Sequence, residues 1–244
     1  MRELDRNPSE LPRSCAIVGA GRLGHALAAA LSAAGVAVEG PLGRGANPQA
    51  EVVLLCVPDG EIATAAAAVT PGPLVGHCSG ATTLEPLTGH EAFSLHPLMT
   101  VPEGGEAPFA GAGCAIAGST PRALATAEAV ALALGMRPVE VADEDRAAYH
   151  AAASMAANFL VALEGAAERL AATAGVEREL LVPLARAALD NWAAQGAERA
   201  LTGPVARGDE ATIARQRAAV EARAPDLLDL FDALVAASRV LVAA

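Results

Sequence analysis

A glycine-spaced turn near the start of this chain constrains its fold more than any other feature. Residues Val18-Gly19-Ala20-Gly21-Arg22-Leu23-Gly24 follow a short apolar run, residues 15–18, and open a stretch of helical spacing, residues 23–34, that ends at Gly35. A strand that turns straight into a helix needs these glycines for different reasons. The first permits the tight turn, the second lets another group approach the backbone, and the third lets helix lie close on strand. The helix start then presents free N–H groups and the positive end of its dipole, which suit a phosphate. With more strands downstream, the pattern predicts that Gly19, Ala20, Gly21, Arg22, Leu23 and Gly24 cradle the diphosphate of a dinucleotide.

The rest of the first half repeats the alternation. Strand-like runs at 36–39, 52–57, 74–77, 93–96, 114–117 and 138–141 are separated by helical patterns, one following Asp59 as its cap to about residue 69 and one opened by Thr120-Pro121 and closed by Gly135. Residues 52–57 are apolar apart from one thiol, as a strand covered on both faces should be. Strands alternating with helices predict an α/β fold, a doubly wound, mostly parallel sheet. Residues 101–113, rich in Gly, Pro and Glu, read as a mobile loop. Strand signals stop near residue 143, where a long alanine-rich helix to about residue 174 is followed by helices at about 177–195, 210–222 and 226–242. The expected organisation is a polar tail over 1–13, a dinucleotide-binding domain over 14–142 and an all-α domain over 143–244, placed to bind substrate and to dimerise.

The second strand bears on which dinucleotide fits. Glu39 stands at about the spacing of an acid that holds a ribose 2′-hydroxyl, which favours NAD. Arg44, with Arg22, offers planar fork donors to a 2′-phosphate, which favours NADP. The reading leans to NADP with NAD as the alternative.

Polar residues arrive at successive strand ends, where an open α/β sheet meets its ligand. Val57-Pro58-Asp59 follows the third strand, and Val57 and Pro58 are expected against the cofactor. His77-Cys78-Ser79-Gly80 and Ser94-Leu95-His96-Pro97 end the next two. A chain without lysine has no Schiff base or lysine acid, so histidine is the natural group to exchange a proton beside a hydride transfer. His96 is the first candidate, with His77 as a substrate-facing residue and Ser79 orienting the same oxygen. No metal-ligand spacing is present. In the helical half His150, Ser154 and Asn158 recur every fourth residue and share one face, Tyr149 pointing elsewhere. Asn158 either bonds a neighbouring helix or reaches the reacting groups. Arg207, before the N-cap candidate Asp209, is a candidate for a substrate carboxylate or phosphate.

A net charge of −11 argues against nucleic acid as a partner, and no apolar run is long enough to span a bilayer. Four widely spaced cysteines without a C-x-x-C fit free thiols in a reducing, cytoplasmic setting. The helical half has few aromatics, so a homodimer that shares apolar faces is expected.

At these motifs the chain resembles a group of Rossmann-like NADP-binding oxidoreductases with an uncharacterised C-terminal helical domain, related to prephenate dehydrogenase and pyrroline carboxylate reductase. The resemblance rests on residues 19–24, Leu55-Cys56-Val57-Pro58-Asp59, His77-Cys78-Ser79-Gly80-Ala81, Leu95-His96-Pro97-Leu98, Tyr149-His150-Ala151-Ala152-Ala153 and Leu201-Thr202-Gly203-Pro204. It implies a two-domain, dimeric, NADP-binding protein, and the expected activity is that of an NADP-dependent dehydrogenase or reductase that moves a hydride to or from a small, anionic substrate. In prephenate dehydrogenases a His-Pro after a strand handles the substrate hydroxyl, which His96-Pro97 resembles, and Ser79 stands where those enzymes carry a substrate-facing serine. Asn158 is similar to an Asn of the hydroxyacid dehydrogenases, but Ser154 stands where they carry Lys. A non-catalytic NADP-binding regulator is the alternative from another class.

Overall fold

A computed structural model describes residues 11–102 and 107–243. Most of the expected tail, residues 1–10, and part of the expected loop, residues 103–106, lie outside the described residues. The chain divides into two compact units, residues 1–155 and 156–244.

The first unit is built on a seven-stranded sheet: β1 (Ser14–Val18), β2 (Ala37–Leu42), β3 (Val52–Leu55), β4 (Leu74–His77), β5 (Glu91–Leu98), β6 (Gly113–Gly118) and β7 (Arg137–Glu140), in the spatial order β2-β1-β3-β4-β5-β6-β7. Neighbours run parallel except β5 and β6, which are antiparallel. Because β2 and β3 flank β1, the chain leaves β1 in opposite directions, and the glycine turn falls at that switch point.

Alternate residues of each strand feed two separate cores. Cys15, Ile17, Val52, Leu54, Phe93 and Leu95 meet α1 (Arg22–Ala33) and α3 (Pro121–Ala133) on one face. Ala16, Val18, Val53, Leu55 and Val75 meet α2 (Ile62–Ala68) on the other. All four residues of β3 are buried, as a strand covered on both faces requires. Thr120 caps α3 by accepting from Ala123 N, with Pro121 in the first turn.

The expected long helix is divided. A 3-10 turn (Asp143–Asp145) leads into α4 (Arg146–Ser154), then a π-turn (Met155–Phe159) precedes α5 (Leu160–Ala172). The π-turn adds a residue to one turn of an otherwise continuous helix, which sequence periodicity over an alanine-rich run does not reveal. It also breaks the strict four-residue repeat that set Asn158 on the face of His150 and Ser154.

The second unit continues with α6 (Arg178–Gln195), the single turn α7 (Ala197–Ala200), α8 (Glu210–Arg223) and α9 (Leu228–Ala243). Asp209 caps α8 by accepting from Thr212 N at 3.0 Å. Arg217 closes a forked bond on Asp232, which ties α8 to α9. Among the described residues of this unit only Ile213, Val220 and Ala224 are buried.

Candidate functional site

The glycine turn is packed shut on one side and open on the other. Gly19 has a φ of +117°, and a Cβ there would lie 2.2 Å from the Cys56 carbonyl oxygen. A Cβ on Gly24 would lie 2.0 Å from the Gly19 carbonyl oxygen, so helix and turn touch through backbone alone. A Cβ on Gly21 would meet nothing within 4 Å. Gly21 is the N-cap of α1, no side chain caps the helix, and no acid sits in its first turn. The first-turn N–H groups and the dipole end therefore face open space, and these residues fit a dinucleotide diphosphate. Ala20 and Arg22 are exposed beside this opening, while Leu23 packs on the core. Pro58 is exposed and Val57 half-buried just beyond the end of β3.

The structure corrects the reading of Glu39. The strand it lies on runs on to Leu42, and Glu39 pairs with Ala16, two residues short of the rim of β1. A register shift between Ala16 and Val18 carries the extra length. The rim position belongs to the stretch that ends in Arg44, an exposed side chain paired with Glu61 at 2.8 Å.

After β4 the chain folds into a turn locked by its own polar groups. His77 is fully buried; its Nδ1 accepts from Ser79 N at 3.1 Å and its Nε2 lies 3.0 Å from the Thr83 carbonyl. That pattern fixes the Nε2–H tautomer, and burial lowers the pKa of the ring. Both nitrogens are spent, so His77 holds the turn and has no ring nitrogen left for a substrate. Ser79 is likewise committed. Its hydroxyl donates to Asp59 at 2.8 Å and receives Ala81 N and Thr82 N. Asp59 thus serves Ser79 rather than capping a helix, for no side-chain cap is made there. Cys56 and Cys78, at the ends of neighbouring strands, bring their sulfurs to 3.8 Å as free thiols.

His96, half-buried on β5, is where side chains from several elements converge. Its Nδ1 lies 2.8 Å from the Tyr149 hydroxyl, with the two rings edge to face at 5.6 Å. The His150 ring stands 6.2 Å away. Gly80 completes the enclosure, since a Cβ there would come within 3.0 Å of both imidazoles. Burial, then the neighbouring His150 and Arg146, lower the His96 pKa to about 4. Burial raises that of Tyr149 to about 12. At neutral pH the pair is a neutral imidazole and an intact phenol.

Arg146 explains why α4 lies against β5. Only 1% exposed, it bonds the buried Ser94 hydroxyl through Nη2 and Asp143 through Nε at 3.1 Å. Ser94 lies two residues before His96 on the same strand face, and Arg146 lies one helical turn before Tyr149 and His150. Helical spacing alone points Tyr149 away from the face that His150 shares with Ser154. Contact between α4 and β5 brings Tyr149 and His150 to His96 together. The arginine inside an alanine-rich helix start was the signal available for that contact. Asn158 is exposed in the π-turn of the second unit, and Arg207 is exposed in the turn before α8. Neither belongs to the unit that carries His96. Among the described residues no group of three or more His, Cys, Asp or Glu is placed to hold a metal, and no helix is long and apolar enough to cross a membrane.

Sheet order, switch-point glycine turn and covering helices define a Rossmann-like α/β protein with a C-terminal helical region. The chain belongs to the family described as Domain of unknown function (DUF2520), whose model matches residues 112–238. No curated protein matches it. Among solved structures it is similar to BF3122 of Bacteroides fragilis, provisionally called an NADP oxidoreductase, with a TM-score of 0.81 and 21% identity over 93% of this chain and 98% of that one. Protein TM1727 of Thermotoga maritima gives a TM-score of 0.77 and 26% identity with the same coverage. A reductive aminase of Aspergillus terreus, solved with NADPH and ethyl levulinate, gives 0.65 and 18% over 94% of each chain.

Proposed function

We propose that the protein is an NADP-dependent oxidoreductase that moves a hydride between nicotinamide and a carbon bearing oxygen or nitrogen in a small molecule. One observation carries this: the turn is closed tightly at Gly19 and Gly24 and open at Gly21, at an uncapped helix start. A turn that merely joined strand to helix would need neither the open side nor the bare N–H groups. The recessed Glu39 and the rim position of Arg44 favour NADP over NAD; Arg44 would exchange Glu61 for a 2′-phosphate. The group, when bound, would supply the hydride; the chain's own part is the proton, and in this reading His96, with its Nδ1 at the Tyr149 hydroxyl, handles it. Arg207 and Asn158 are the candidates that the helical unit offers to an anionic substrate. The free thiols fit a cytoplasmic setting.

The same reading includes a homodimer formed through the helical unit. Leu180 and Leu184 are each 69% exposed and Trp192 56%, all on α6. An apolar surface of that kind on a soluble fold marks an interface, and a second copy supplies a matching face by two-fold symmetry.

Fluorescence titration with NADPH and NADH tests the cofactor assignment. NADPH binds the parent protein more tightly than NADH. Gly21→Ala leaves thermal stability unchanged, since its Cβ meets no protein atom, yet weakens NADPH by about ten-fold or more, the equivalent of roughly 1.4 kcal/mol. A parent protein that binds neither nucleotide overturns the assignment.

A further inference from the structure

We propose that Tyr149 is a positioning residue that holds His96 in its Nε2–H form, so that this site offers a proton to a carbonyl or imine and is poised for reduction. This rests on the oxidoreductase reading above and names the substrate class for it.

The geometry carries the assignment. The Tyr149 hydroxyl lies 2.8 Å from His96 Nδ1. A phenol donates well and accepts poorly, whereas a neutral imidazole has one nitrogen of each kind. With the phenol donating, Nδ1 is bare and the single ring proton sits on Nε2. Among the described residues the His96 ring has no hydrogen-bond partner other than Tyr149. The phenol itself is held by more than that bond. Arg146, one turn earlier on α4, is anchored to Ser94 and Asp143, and Gly80 leaves just enough room for the two imidazoles.

Tyr149 sits at Nδ1 and His150 beside the ring, and the charges that act on His96 are those of His150 and Arg146 from α4, Asp59 beyond β3 and His77 from β4. Their net effect with burial holds the ring neutral, so an imidazolium is scarce at neutral pH. A neutral ring can still deliver its Nε2 proton if its other nitrogen receives one, and Tyr149 stands at that nitrogen. As a hydride adds to carbon, the electron pair of the C=O or C=N bond takes the Nε2 proton. Nδ1 takes the Tyr149 proton, and the phenolate regains one from water. The substrate thereby gains two electrons and two hydrogens, one as hydride from the reduced nicotinamide and one, net, from water.

The test reads the ring directly and needs no substrate. Protein labelled with ¹⁵N in histidine is compared with Tyr149→Phe by imidazole NMR at neutral pH, with His96→Asn giving the assignment. The expected spectrum of the parent shows His96 protonated at Nε2 and bare, hydrogen-bonded Nδ1. In Tyr149→Phe the Nδ1 signal shifts toward that of a nitrogen with no donor, while the His77 signals stay in place because Thr83 and Ser79 fix that ring. NADPH affinity stays within two-fold of the parent. A parent His96 protonated mainly at Nδ1 overturns the proposal without any variant, and so does a His96 spectrum unchanged in Tyr149→Phe. Failure of the parent to bind NADPH would instead remove the oxidoreductase reading and leave the tautomer result standing.

Discussion

In the sheet unit Ile17, Leu27, Leu31, Val53, Leu55 and Leu95 are wholly enclosed, and the clusters that enclose them draw on that unit alone. In the helical unit three described residues are buried, while Val161 is 72% exposed and long apolar side chains of α6 stand in the open. Both units are rich in apolar residues, so composition does not separate them. Secondary structure does. A sheet covered on two faces closes its core with its own helices, whereas a few helices built from alanine have small surfaces to offer each other and leave their large side chains outward. The sheet unit encloses its own core; the helical unit encloses three of its described residues.

The sharpest way to break that contrast is a matched pair of truncations. Leu54→Ala, in the enclosed sheet core, is expected to cost about 2–5 kcal/mol of stability at any protein concentration. Leu184→Ala should cost little in dilute protein and progressively more as concentration rises and a partner covers α6. Urea unfolding at low and high concentration checks both. Equal, concentration-independent losses would mean that α6 is buried in a way the single chain does not show.

A charge on the same helix gives the next effect. Leu184→Glu should shift the sedimenting species from dimer to monomer while leaving NADPH affinity within a few-fold, because the glycine turn lies in the other unit. A parent that sediments as a monomer at micromolar concentration removes the dimer and leaves the exposed leucines unexplained.

The same contrast separates what the sequence disclosed from what it concealed. The strand–turn–helix at residues 15–34 was legible because glycine spacing, apolar run and helix stop all lie within a few residues of one another. The α/β alternation was legible for the same reason, since each element writes its period locally. The site around His96 was only half legible. Its strand end was visible, but Tyr149 and His150 reach it through packing of α4 on β5, across 53 residues of chain for the Tyr149 contact. His77 and Ser79 look like reactive groups in sequence and turn out to be spent on the turn that contains them. Glu39 was misplaced by a register shift of the kind no local pattern announces.

Acid sensitivity offers a smaller and finer test, because all five histidines, at positions 25, 77, 90, 96 and 150, fall in the sheet unit. Burial lowers the pKa of His77, and burial together with His150 and Arg146 lowers that of His96 to about 4 against an ordinary 6.5. Between those values the unfolded chain binds more protons than the folded one. Stability from this source is therefore complete above about pH 6.5 and is lost as pH falls toward 4. The chain carries its own reporters, with a single tyrosine, Tyr149, beside His96 and a single tryptophan, Trp192, on α6. On acidification from pH 7 to 5 the thermal transition seen at Tyr149 should drop by several degrees, and the one seen at Trp192 should lag behind it. His96→Asn should flatten the Tyr149 profile across the same window. Two transitions that fall in step, with a slope indifferent to His96, would show that the units melt as one and that the half-buried imidazole is not what acid attacks.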